Sequence, residues 1–200
     1  MDSELMDRSL ENKNKYKLAA YCAFTSSILS LPYLIIAIIG DLKVGPTVIL
    51  LPLSISLTFI VHFCSLYAFY RFKCFLNDYY EFHDIDIYVI LLIILSIMGA
   101  TAFAIYSRTG PNLKIPSFIA IVAISIVAGI LGIVFSVKLL GLPVSLHGML
   151  KPYVCITIVA SICFMVIFLG PIAIVLGAVT DFMLGIILLK PKEEIEVEFV

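Results

Sequence analysis

Four apolar stretches of bilayer-spanning length, and a fifth nearly twice as long, leave this chain few ways to fold. They are Leu18–Ile39, Thr47–Tyr70, Ile85–Tyr106, Ser117–Val137 and Tyr153–Leu189. About twenty apolar residues carry a helix across a hydrocarbon core about 30 Å thick. Lipid offers no hydrogen bonds to the backbone, so such runs must bond internally, as helices. Hydrophobic residues occupy 62% of the 200 positions and charged residues 14%, more apolar surface than a soluble domain of this size can hide. The expected fold is all-α, a polytopic integral membrane helical bundle whose first partner is the lipid bilayer. Residues 1–17 and 190–200 are its polar tails and 18–189 its transmembrane domain.

The fifth run sets the number of spans. As one helix its 37 residues would reach about 56 Å, nearly twice the hydrocarbon thickness. Gly170-Pro171 divides it into 153–169 and 172–189, each just long enough to cross. Six spans result, with five as the alternative and a re-entrant hairpin as a variant. Lys and Arg concentrate on the cytoplasmic side of such proteins. Six spans with a cytoplasmic N-terminus put ten of the thirteen basic residues inside, leaving Lys43, Arg108 and Lys114 outside. Five spans move Lys190 and Lys192 outward and weaken the split to eight against five. Gly-Pro also occurs at 45–46 and 110–111, so the three pairs mark three outer turns and three helical hairpins. Both tails then lie in the cytoplasm. With no N-x-Ser/Thr sequon present, a prokaryotic cytoplasmic membrane is the expected location.

The inner loop between spans two and three reads YYEFHDIDIY, residues 79–88. Two readings compete. Glu81, His83, Asp84 and Asp86 offer oxygen and imidazole ligands to a metal. Alternatively Asp84 caps the third helix, Asp86 faces its positive dipole end, and the aromatic residues anchor the loop at the headgroups. The second reading gives every residue a local role and is preferred. No Walker loop, GxGxxG, HExxH, CxxC or nucleophile elbow occurs, so no cofactor is expected. A net charge of −1 provides no basic field for nucleic acid.

Asp181 stands out, because a carboxylate at the centre of a membrane helix costs about 2.5–3.5 kcal/mol or more. Ala173, Gly177 and Gly185 lie on its own helix face, a small-residue stripe that points the acid at protein. Ala128, Gly132 and Ser136 form a matching stripe on span four, the expected packing partner of the sixth span. His62 precedes Arg71 by nine residues, as Asp181 precedes Lys190, which places both at one depth. A direct or water-bridged His62–Asp181 pair is therefore expected, as a candidate proton or cation site. Structural alternatives are Thr180 or Thr157 as partners of Asp181, and Ser65 or Thr58 as partners of His62. Pro32 should kink span one, with Ser26, Ser27 and Ser30 bonding the freed backbone groups. The five cysteines read as small hydrophobes.

Three classes of role fit. First is a non-enzymatic scaffold, subunit or assembly protein working through helix contacts, as a homo-oligomer or with a membrane-protein partner. Second is a small oligomeric transporter or channel coupled to protons or cations through Asp181. Third is a membrane enzyme with an inner-face metal at His83.

Overall fold

The computed structural model describes residues 2–41, 47–108 and 111–189. Among them are six α-helices and no strand: α1 (Asp2–Asp41), α2 (Thr47–Tyr80), α3 (Asp86–Arg108), α4 (Pro111–Leu139), α5 (Leu150–Met165) and α6 (Gly170–Leu189). Five of these, all but α5, are long and apolar enough to cross a membrane. The protein is thus a membrane-embedded helical bundle. The 16 residues of α5 span about 24 Å.

The helices pack as a ring. α1 lies between α2 and α6, α6 continues to α5, α5 to α4, and α4 to α3, while α2 and α3 close the circle with much slighter contact. Small residues set the tightest approaches. Ala19, Ala23, Ser26 and Ser30, at alternating four- and three-residue steps, form the buried face of α1 together with Ala20. Between α4 and α5 the spacing is closer still. A Cβ on Gly129 would lie 2.9 Å from the Ser161 backbone oxygen, and one on Gly132 would lie 2.4 Å from Ser161 Oγ. Lipid tails are as apolar as leucine, so dispersion at such contacts, rather than exclusion of water, holds the helices together.

The packed core gathers at the end of the bundle where the 81–85 and 140–149 loops lie. Phe72, Leu76, Ile85, Val89, Phe135 and Leu146 are among its fully buried side chains. Tyr16 of α1 donates a hydrogen bond to the Asp78 carboxylate, and its ring meets Phe75 at 5.4 Å and Tyr79 at 5.6 Å. Towards the other end Phe59, Phe63, Ile115 and Phe168 stand exposed, as lipid-facing residues should.

Several boundaries differ from expectation. α1 continues through residues 2–17, so the N-terminal tail is helical. α2 runs on to Tyr80, ten residues past the expected end of span two, which leaves only 81–85 as loop. It closes with Glu81 in the left-handed region (φ +53°), Glu81 N–H donating to Asn77 O at 3.2 Å and Phe82 N–H to Leu76 O at 3.3 Å. This is the helix-terminating pattern that glycine usually serves. The long apolar run does fold back, since α5 and α6 pack side by side. Its reversal comes at extended Val166 and the 3₁₀ turn Ile167–Leu169, before Gly170-Pro171, which instead opens α6. The reason lies in proline itself, which lacks an N–H that the first helical turn does not need. Pro111 likewise opens α4. Gly45-Pro46, Gly110 and the tail 190–200 lie outside the described residues.

The α4–α5 contact gives a paired expectation. Gly129→Ala should lower stability in detergent by about 1–3 kcal/mol, because the Ser161 backbone cannot yield to the new methyl. Gly177→Ala, with no atom within 4 Å of the added Cβ, should be neutral or mildly stabilising. Thermal unfolding of the two variants checks both.

Candidate functional site

Asp181 sits on α6 where that helix faces α1 and α2, and each carboxylate oxygen meets a hydroxyl from a different helix. Ser26 Oγ of α1 donates to Oδ2 at 2.6 Å, and Ser65 Oγ of α2 donates to Oδ1 at 3.2 Å. Ser26 is fully buried. No Lys, Arg or His forms an ion pair with the acid among the described residues. The group is therefore held by neutral donors alone.

Depth is common to these residues. Ser26 is the middle residue of the apolar stretch Tyr16–Ile36, and Asp181 lies next to the middle of Gly170–Leu189. Ser96 is the middle residue of Asp86–Tyr106, and its hydroxyl lies 3.3 Å from His62 Nε2. Ser65 and His62 are one turn apart on α2. These polar side chains, at or bonded to the middle of apolar stretches, link α1 and α6 to α2, and α2 to α3, in two adjoining hydrogen-bonded groups.

The expected direct pair is not formed. His62 bonds Ser96 rather than Asp181, and Asp181 spends both oxygens on serines. The sequence did place the two groups near one depth, but depth does not fix direction around the helix. Nor are Thr157 and Thr180 the partners of the acid. Thr157 Oγ1 donates to Tyr153 O at 2.7 Å and Thr180 Oγ1 to Gly177 O at 2.8 Å. Ser30, assigned to the Pro32 region, makes an ordinary back-bond to the Ser26 carbonyl at 2.8 Å, not to the Ile28 carbonyl that Pro32 leaves without its helical donor. Ser26, also assigned to that region, turns to the acid instead.

The packing stripes also divide differently. Ala128, Gly132 and Ser136 belong to α4, which packs chiefly on α3 and α5; Gly132 meets Ser161 of α5, not α6. On α6, Ala173 is buried and Gly185 lies against Phe24 of α1, where an added Cβ would be 2.8 Å from Cε1. Gly177 has open space beside it. A stripe shows that a helix can approach closely, but chain connectivity decides which neighbour arrives.

At the loop end, Asp86 is the centre of the charged cluster. It lies in the first turn of α3, where the helix dipole favours an acid, and Asn77 Nδ2 of α2 donates to its oxygens at 3.0 and 2.9 Å. Lys73 Nζ is 3.8 Å and His83 Nδ1 3.5 Å from Asp86 Oδ2. Asp84 is exposed in the turn before the helix and does not occupy its cap, because α3 begins two residues later. Glu81 and His83 are exposed as well. Among the described residues no three acidic, histidine or cysteine side chains converge on a metal-sized site. The cluster ties the end of α2 to the start of α3.

Sequence reasoning missed Ser26 and Ser65 as the partners of Asp181, having assigned them to the Pro32 backbone and to His62, and missed Ser96 as the partner of His62. The mid-run position of Ser96 was a usable signal. No family model, curated protein or solved structure matches this chain.

Proposed function

We propose that this membrane protein works through helix contacts, as a non-enzymatic scaffold, subunit or assembly protein in which Asp181 pins α6 to α1 and α2. The observation behind this reading is that both carboxylate oxygens end on hydroxyls of two other helices. An acid used in this way fixes which helices meet and at what register. That specificity is the best-attested role of buried polar groups. A homo-oligomer or another membrane protein would then dock on the lipid-facing surface. Transport coupled to protons or cations is the second reading. It is favoured by the concentration of Asp181, Ser26, Ser65, His62 and Ser96 near mid-membrane, the depth at which transporters bind their substrates.

Asp181→Ala removes both interhelical hydrogen bonds and leaves space in the seam, and should lower stability by about 1–3 kcal/mol. Asp181→Asn, which accepts one hydroxyl and donates to the other, should stay within about 1 kcal/mol of the parent. Unfolding in detergent measures both, and an alanine variant as stable as the parent contradicts the pin. Proton or cation flux in proteoliposomes decides the second reading: no flux in the parent protein refutes it.

Both tails are placed in the cytoplasm, supported by the ten-to-three split of basic residues in six spans. Single cysteines introduced at the two ends should both resist a membrane-impermeant thiol reagent added outside cells. Labelling of one end alone contradicts an even number of spans.

A further inference from the structure

Hydroxyls in this bundle have a habit that Ser26 and Ser65 break. Thr25, Ser30, Thr101, Ser136 and Thr157 each donate to the carbonyl four residues earlier in their own helix, at 2.7–2.8 Å. This back-bond is the default for a hydroxyl in a helix surrounded by hydrocarbon. Ser26 and Ser65 instead reach across to Asp181. The carbonyls of Cys22 and Val61, four residues before them, are the local acceptors to which they would return.

We propose that Asp181 is a proton-binding site at mid-membrane, with Ser26 and Ser65 as hydroxyl partners that satisfy both of its protonation states. As a carboxylate, Asp181 accepts from both serines, which is the arrangement in the structure. On taking up a proton, its new O–H donates to one serine oxygen, and that serine turns its own hydrogen to the back-bond position. No buried donor or acceptor is orphaned in either state, because a hydroxyl both donates and accepts. A lysine or arginine partner would serve the anion alone. Asparagine would pin three helices without the cost of a charge, whereas an acid adds the capacity to take up and release a proton.

The surroundings allow this. α6 packs on α1, α2 and α5. The titratable side chains that face the acid from them are the Cys64 thiol of α2, with Cys22 of α1 against it, and the Tyr153 phenol of α5. The His62 imidazole, one turn along α2, is engaged by Ser96. None of these thiols or the phenol is a cation that would fix the acid as an anion. The inference rests on the helix-pin reading of the triad, yet it fails separately: a pin that never changes protonation would still stabilise the fold.

Infrared difference spectra of the full chain in liposomes test it. The carbonyl stretch of a protonated carboxyl in an apolar site should be present at the acid end of a pH titration, be lost at the alkaline end, and be missing from Asp181→Asn. Ser26→Ala should move the midpoint by about one pH unit or more, while Thr180→Val, whose hydroxyl bonds Gly177, should leave it in place. A lipophilic carbodiimide, which adds to protonated carboxyls, should label Asp181 at the acid end of the range and not at the alkaline end, as read by peptide mass. An unchanged band throughout the range, or a midpoint indifferent to Ser26, overturns the proposal. So does loss of the band on adding sodium at constant pH, which would assign the site to a metal cation.

Discussion

A carboxylate in hydrocarbon has to be answered by something, and here the answer is two serines from two other helices. That constraint reaches far beyond one side chain. It requires α6 to present Asp181 towards α1 and α2, which in turn requires the long C-terminal apolar run to fold back at 166–169. The same geometry requires α1 to come close, and its buried face is accordingly alanine and serine. Gly185 against Phe24 extends the same close seam towards the loop end.

Two kinds of adhesion divide the bundle along its length. At the loop end, aromatic rings, the Tyr16–Asp78 hydrogen bond and the Asn77–Asp86 pairing make a dense core. Large aromatic side chains gain there from packing, and the hydroxyl of buried Tyr16 is answered by Asp78. At mid-membrane the contacts are sparser and polar: Asp181 with its serines, and His62 with Ser96. The slight contact between α2 and α3 makes this second pair a large part of what joins them away from their loop.

Much of this could be read from the residues. Run lengths gave helices and their approximate number, since lipid leaves the backbone no other option. The cost of an intramembrane charge singled out Asp181, and its small neighbours showed that it faces protein. The ring order was not legible. Ala128 and Gly132 looked like a partner for α6 because spacing records closeness without naming the neighbour. His62 and Asp181 shared a depth, but azimuth depends on packing that no periodicity encodes. Turn chemistry misled at one point: Gly170-Pro171 is equally apt to open a helix as to reverse a chain, and here it opens one.

The Ser26–Asp181 bond is the contact on which this picture turns, and a double-mutant cycle measures it directly. Unfolding free energies of the parent, Ser26→Ala, Asp181→Ala and the double variant in bicelles give the coupling between the two side chains. Hydrogen bonds of this kind in membranes are typically worth about 0.6 kcal/mol and reach about 1.7. A coupling of about 1 kcal/mol is predicted here, from a 2.6 Å bond between buried helices. Additivity within about 0.3 kcal/mol would mean that the two residues do not meet in the membrane.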